Sequence, residues 1–381
     1  MLKLNQIHNS TVLVRVAFDL PSLDDTARIN DAIPTIELLL KNNNKVILAT
    51  KWGRPKGNDL EFSTQKLIAV IENELATAQT TAKISSLTLD RVTKVEYINQ
   101  FDGFEQAKTQ ILNSTNQLFL LENTHFSRDE KSKDASIRLD LAQKYATLTD
   151  HFVDEAFPSS HRQEATNTEI KEVLPWTFGL AYANEIENLD RLRLDVKKPF
   201  VVLMAGAKLE TKLPLITKMI LKADKILIGG LLGFTFLQAA KDLGYSDLPD
   251  IYDSYVEVEF LEQAKDLLKN NPEKLVLPLD LVYEEEDGKK YGRDVGLKTV
   301  DLFENELQKA QTIFWNGTLG FYEKSPFDQG TVKLGVFIAS LDGVFKVLGG
   351  GDTGSSLPEN ILEKLDFVSM GGGATLEYLS R

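Results

Sequence analysis

The sequence predicts an α/β protein of two lobes, each a mainly parallel sheet flanked by helices. Three observations carry that prediction. The chain has 381 residues, long for one core and natural for two domains of ordinary size. Short apolar runs alternate with helical periods, and an apolar run without polar alternation is a strand covered on both faces. In the second half these runs end repeatedly in glycines, the punctuation of strand-to-helix turns.

The first half supplies the alternation. Thr11 to Val16 reads as a buried strand ending in the loop signal Ala17-Phe18-Asp19-Leu20-Pro21. Thr26 to Lys41 reads as a helix, apolar at Ile29, Ala32, Ile33, Ile36, Leu39 and Leu40, with Arg28 near its start. Lys45 to Ala49 is the next strand, followed by Lys51-Trp52-Gly53-Arg54-Pro55. The pattern recurs through Phe119-Leu120-Leu121 and Phe152-Val153. These lead into Glu122-Asn123-Thr124-His125-Phe126 and into Asp154-Glu155-Ala156-Phe157 with His161-Arg162. Ligands of open α/β sheets lie at the carboxyl ends of the strands. Arg15, Arg28, Arg54, His125, His161 and Arg162 are therefore candidates for one site. An arginine cluster with histidines suits a phosphate or a carboxylate; taken singly, each also reads as a solvated loop cation.

Leu174 to Asp195 carries a helical pattern, and Lys197-Lys198-Pro199 restarts the chain as a strand. The expected division is a lobe over 1–175, a linking helix over 176–195, a second lobe over 196–370 and a C-terminal segment over 371–381.

The second half supplies the glycine turns. Phe200 to Met204 leads to Ala205-Gly206-Ala207-Lys208, with Lys212 one helical turn on. Ile226 to Ile228 leads to Gly229-Gly230-Leu231-Leu232-Gly233, and Leu275 to Leu277 to Pro278-Leu279-Asp280. Glu284 to Asp287 reads as a solvated acidic loop. Ile313-Phe314-Trp315 leads to Asn316-Gly317-Thr318, and Phe367 to Ser369 leads to Met370-Gly371-Gly372-Gly373-Ala374, which opens a last helix. Helix N-termini at such turns carry unpaired N–H groups suited to phosphates. Val344 to Leu348 runs into Gly349-Gly350-Gly351-Asp352-Thr353-Gly354. The glycine amides there suit an oxyanion, and a carboxylate among them makes sense with a divalent cation between it and a nucleotide phosphate. Gly349, Gly351 and Gly354 also match the dinucleotide fingerprint, but too short a tail follows for the second strand it needs.

Composition narrows the classes. A formal charge of -13 argues against general nucleic-acid binding and against anionic membranes. No cysteine is present, so no disulfide or thiol chemistry is available. Met1 to Ser10 is polar, without a signal-peptide core, and no apolar run approaches the ~20 residues of a membrane span. A cytoplasmic monomer with no nucleic-acid or membrane partner is expected.

Taken in order, these segments resemble the phosphoglycerate kinase family along nearly the whole chain. The matching stretches are Val12 to Pro21, Arg28 with Ala32-Ile33-Pro34-Thr35-Ile36, Gly53-Arg54-Pro55, Glu122-Asn123, and Ala156-Phe157 before His161-Arg162. They continue through Ala205-Gly206-Ala207-Lys208 with Lys212, Gly229-Gly230, Pro278 with Asp280 and Asp294-Val295-Gly296. Trp315-Asn316-Gly317, Gly349 to Thr353 and Gly371 to Ala374 complete the set. The resemblance implies a two-lobed, Rossmann-like kinase with a hinge helix and a C-terminal segment packing back towards it. It would move a phosphoryl group reversibly between 1,3-bisphosphoglycerate with ADP and 3-phosphoglycerate with ATP, in glycolysis and with Mg2+. The first lobe would bind the acid through Arg15, Asp19, Lys51, Arg54, His125, His161 and Arg162. The second would bind ATP or ADP through Lys212, Gly230, Gly292, Asn316, Glu323, Gly350, Gly351, Asp352 and Thr353, with Asp352 on the metal. Arg28, Lys208, Lys212, Gly351 and Gly372 would carry catalysis, Arg28 by stabilising the moving group.

The sequence departs from the family mainly in the first half. Ala17 and Asp19 replace an aspartate and an asparagine, and Thr50-Lys51-Trp52 replaces Ser-His-Leu. His125 stands for an arginine and Glu164 for a common histidine. In the second half Met370 replaces a threonine, and Pro358 is expected to break a helix. The chain stops at Arg381, short of the usual extension. The nucleotide half is expected intact and the acid half weakened. The alternatives are an acid kinase for another carboxylate and a non-catalytic nucleotide-binding relative.

Overall fold

The computed structural model describes residues 3–81 and 94–381, so the first two residues of the polar N-terminal stretch fall outside it. The chain divides into two units, Met1–Ile186 and Glu187–Arg381.

The first unit holds six strands: β1 (Thr11–Arg15), β2 (Lys45–Ala49), β3 (Val95–Ile98), β4 (Leu118–Leu121), β5 (His151–Asp154) and β6 (Trp176–Phe178). They form one parallel sheet in the order β3-β4-β2-β1-β5-β6. Both faces are covered, which is why the central strands are mostly apolar on both sides, as in Val12-Leu13-Val14 and Val46-Ile47-Leu48. Val12 and Val14 pack with Ile29, Ile33 and Ile36 of the helix Ala27–Lys41. Leu13 points the other way, to Ala107, Ile111, Leu141 and Ala142 on the helices Phe104–Asn113 and Ala135–Ala146. Each such aliphatic side chain contributes about 1.5–3 kcal/mol by leaving water. All six apolar positions expected for the helix 27–41 are buried.

The helical pattern expected from Leu174 is corrected at its start. Trp176–Phe178 is an edge strand pairing with β5, and helix runs only over Leu180–Arg193. The start of that helix is set from within the first unit. The Glu155 carboxylate accepts from the main-chain N–H groups of Ala181 (3.1 Å) and Tyr182 (3.1 Å). The Thr35 hydroxyl accepts from Leu180 N (2.8 Å). An acid on free N–H groups at a helix start satisfies donors that have no partner within the helix.

The second unit has a six-stranded parallel sheet of β7 (Phe200–Met204), β8 (Lys225–Ile228), β9 (Leu275–Val276), β12 (Thr312–Asn316), β13 (Phe345–Gly349) and β14 (Phe367–Ser369). Between β9 and β12 in sequence lies an antiparallel hairpin, β10 (Leu281–Glu286) and β11 (Lys289–Val295). The sheet order is β14-β13-β12-β7-β8-β9. Glu284 to Asp287 is thus not a loop. Its first three residues belong to β10, and Asp287-Gly288 turns the hairpin with φ of 52° and 73°, the left-handed pair of a tight two-residue turn. Pro358 separates two short helices, Gly351–Ser355 and Glu359–Leu362.

Candidate active site

In the second unit β7, β8 and β9 run out to one side of the sheet and β12, β13 and β14 to the other. The order reverses between β7 and β12, where open sheets bind ligands. Their turns meet backbone to backbone. Gly317 follows β12 with φ +98°, and a Cβ there would stand 2.0 Å from the Ala205 carbonyl oxygen. Gly230, after β8, has φ +64°, and its Cβ would stand 2.4 Å from Gly206 N. Only glycine fits either place, so three strand ends close around one cleft of about 540 Å³.

Lys212 and Asn316 face each other in that cleft. Lys212 lies on the helix Leu209–Met219, with Lys208 just before its first turn. Its ammonium donates to the Asn316 side-chain oxygen, and the Asn316 amide donates to Gly349 O (2.7 Å). The Thr353 hydroxyl accepts from Gly317 N (2.8 Å), so the turn after β12 is tied to the glycine loop after β13. Burial draws the Lys212 amine down to about 8, with the charge of Asp352 opposing. Asp352 itself is exposed. Lys208, Gly230, Gly292, Glu323, Gly350, Gly351, Thr353 and Gly372 all line the same cleft. The structure therefore gathers every second-half residue expected at the site.

Further lining residues escaped the sequence reading. Phe234, Leu237 and Leu281 form an apolar wall, and Arg293 and Phe321 stand at the rim. Arg293 Nε donates to Glu284 Oε2 (2.8 Å), and Lys324 pairs with the other oxygen of Glu284. The Arg293 guanidinium lies 5.5 Å from the Phe321 ring centroid. The clasp joins the β10–β11 hairpin to the loop carrying Glu323; Asp-Gly between Glu-rich and Lys-rich strands was its sequence signal. Two motif acids serve the framework instead. Asp280 accepts from Thr299 N (2.8 Å) and Lys298 N (3.1 Å) at the start of the helix Leu297–Leu307. Asp294 accepts from Gly330 N (2.8 Å) and Val295 N (2.8 Å), and burial raises it to about 6.

In the first unit the charged groups lie in the loops after β1, β2, β4 and β5, mostly paired with one another. Arg15 is corrected from a solvent-facing cation: it is wholly buried. Its guanidinium donates to Thr166 Oγ1 (3.0 Å), Val16 O (3.0 Å) and Glu164 Oε2 (3.1 Å). Glu164 also meets His125 Nε2 at 3.0 Å, while Lys131 Nζ lies 3.5 Å from His125 Nδ1. Burial holds His125 below its ordinary value despite Glu164. The neutral ring suits both contacts, Nε2–H donating to Glu164 and Nδ1 accepting from Lys131. Burial opposes the charge on Glu164, but the His125 hydrogen bond and the Arg15 charge outweigh it and draw the acid down to about 2.

Asp19 takes Lys51 on Oδ2 and Gly53 N on Oδ1 (2.8 Å). Burial opposes its charge; Lys51 and the amide outweigh burial and hold the carboxyl below its usual range. Arg28 Nη1 donates to the Asp19 main-chain oxygen (2.6 Å). Asn123 aligns the loops after β2 and β4, accepting from His125 N (3.0 Å) and Trp52 N (3.2 Å). Arg162 is exposed, 3.9 Å from Glu164; Arg54 is exposed and His161 half-buried.

A family model described as phosphoglycerate kinase matches residues 2–381. The chain belongs to the phosphoglycerate kinase family. A phosphoglycerate kinase of Thermosipho africanus is 36% identical over 396 aligned residues, covering 97% of this chain and 92% of the relative. That of Thermus thermophilus is 33% identical, with coverages of 97% and 94%. Among solved structures, phosphoglycerate kinase from Coxiella burnetii aligns with a TM-score of 0.79 at 27% identity, covering 98% of this chain and 94% of the other. The Pyrococcus horikoshii enzyme gives 0.78 at 25% identity, with the same coverages. Phosphoglycerate kinases are kinases, and two parallel six-stranded sheets flanked by helices agree with their structures. Among the described residues no helix is long and apolar enough to cross a membrane. None of the described acids and histidines cluster in threes as a ready-made metal site.

Proposed function

We propose that this chain transfers a phosphoryl group reversibly between ATP and 3-phosphoglycerate, yielding ADP and 1,3-bisphosphoglycerate. The observation that carries the reading is the cleft at the switch of the second sheet. There an ammonium held by a neutral amide, three glycine turns and an exposed carboxylate surround a space for one nucleotide. Lys212 binds the phosphates and the transferring group, with Lys208 beside it. The amides of Gly350, Gly351 and Thr353 take further oxygens. Glu323 serves the ribose, and Gly230 and Gly292 admit the base. Asp352 fits Mg2+: it is a single exposed carboxylate facing Lys212, and Mg2+ on a nucleotide needs only one or two carboxylates besides phosphate oxygens and water. Bound there, the ion would neutralise phosphate charge. Phosphoryl transfer asks little covalent help of a protein; positioning and positive charge do the work.

The first unit supplies the acid site through Lys51, Arg54, His161 and Arg162, with His125 and Asp19 setting its charge. Arg28 is its donor to the moving phosphoryl group, and the Gly372 amide is proposed as a further donor. The proposed lobes are 1–175 and 196–370, joined by 176–195, with 371–381 packing back. In support, Tyr378 donates to Asp190 (2.8 Å) and stacks under Arg193. A cytoplasmic monomer without nucleic-acid or membrane partners completes the proposal, in keeping with a charge of -13. The test is purified protein with MgATP and 3-phosphoglycerate, read as ADP released. ADP release only when the acid is present supports the reading; nucleotide binding without acid-dependent release overturns it.

A further inference from the structure

Asp19 occupies donors that an anionic ligand would use. Its carboxylate lies on the Lys51 ammonium and on Gly53 N–H, a cation beside a main-chain amide, which is how proteins hold carboxylates and phosphates. The Asp19 side chain is 31% exposed and that of Lys51 only 9%, so the acid stands on the solvent side of the pair. The loop does not need this carboxylate to keep its place. Phe18 N donates to Thr50 Oγ1 (3.1 Å), and Trp52 Nε1 donates to Leu20 O (3.1 Å), which already bind the loop after β1 to the loop after β2. The contact to Arg28 uses the Asp19 main chain and survives a side-chain change.

We infer that Asp19 is a specificity-determining residue whose carboxylate acts as an internal anion, holding Lys51 and the Gly53 amide until a ligand anion displaces it. The inference rests on the reading of the first unit as the acid-binding half. It makes the unit discriminate against small anions, because each must compete with a tethered carboxylate. Removing that charge should tighten anion binding, whereas removing a ligand contact or a purely structural group would weaken it or leave it alone.

The experiment is calorimetric titration of the full chain with 3-phosphoglycerate and, separately, with inorganic phosphate. The proteins are the unaltered chain, Asp19→Asn, Lys51→Met and the double variant. Asp19→Asn should tighten both ligands by about tenfold, roughly one charge-assisted hydrogen bond, and the gain should vanish in the Lys51→Met background. In steady state the KM for the acid should fall while that for ATP stays. Asp19→Ser, which also removes the charge, must give the same sign. Unchanged or weaker binding in both Asp19 variants overturns the inference, as does a gain that survives loss of Lys51. Turnover by the unaltered chain decides the functional reading separately. Tightening without turnover supports this inference and sinks that reading; turnover without tightening does the reverse.

Discussion

The two units hold charge in opposite ways. In the second, the cleft is built from glycine turns and main-chain amides. Its one buried cation, Lys212, rests on an uncharged amide, and Asp352 stands exposed. In the first, Lys51 is on Asp19 and Arg15 on Glu164, and the His125 ring bridges Glu164 and Lys131. In the proposed function a phosphate in the cleft would replace a neutral partner, while an acid in the first unit would compete with carboxylates already in place. Backbone amides cannot be mutated away, and glycine turns packed against carbonyls tolerate no side chain. Side-chain charges can be exchanged in pairs. The departures expected from the sequence at positions 19, 51, 125 and 164 are of this side-chain kind.

The comparison can be broken first through stability. Glu164→Ala leaves the Arg15 guanidinium buried without its counter-ion, which costs about 3–5 kcal/mol. Asp352→Ala, at an exposed position, should cost within ~0.5 kcal/mol. Denaturant midpoints of the two variants measure this, and equal losses would erase the distinction between the units. The acid limb of the stability curve gives the same information. Glu164 sits at about 2 against an ordinary 4.5, so its contribution is complete above the ordinary value and drains away as pH falls towards 2. The Glu164→Ala chain should lose this part of the acid response.

Function reverses the order. Asp352→Ala should weaken MgADP by at least about tenfold, since even outer groups at metal sites are worth 10–100-fold; metal-free ADP should bind both proteins alike. Calorimetry with and without Mg2+ checks both halves. A smaller effect is expected from pH. Lys212 is charged below about 8 and neutral above it, while nucleotide phosphates stay anionic. Affinity should therefore fall between pH 7 and 9, by at most about tenfold. Lys212→Arg, charged throughout, should flatten that slope, and a slope unchanged by it would remove Lys212 from the phosphate site.

Local pattern exposed much of this and stopped at partners. The helix 27–41 was legible because its apolar spacing matches the helical period, and each glycine turn because an apolar run stops there. The half-polar edge strand β3, Val-Glu-Tyr-Ile, has no such run to mark it. Arg15 was misread for a different reason. As the last residue of a strand it looks like a site cation, and its burial is decided by Glu164 and Thr166, about 150 residues on. In the sequence Glu164 shows only as a replacement for a common histidine, and its two buried partners, Arg15 and His125, make it an anchor. Asp19 and Lys51 are individually visible as departures, but no local signal shows that one answers the other.

The most direct test of the account is a paired measurement on Arg28→Ala: turnover with saturating 3-phosphoglycerate and MgATP, and the dissociation constant for MgADP. Arg28 belongs to the first unit, where it donates to the Asp19 main-chain oxygen, and among the described residues the cleft is lined from the second unit. One lost transition-state donor lowers turnover by about a hundred- to a thousandfold. The account predicts that fall with MgADP affinity unchanged. Turnover within a few-fold of the unaltered chain, or affinity falling in step with turnover, would contradict it.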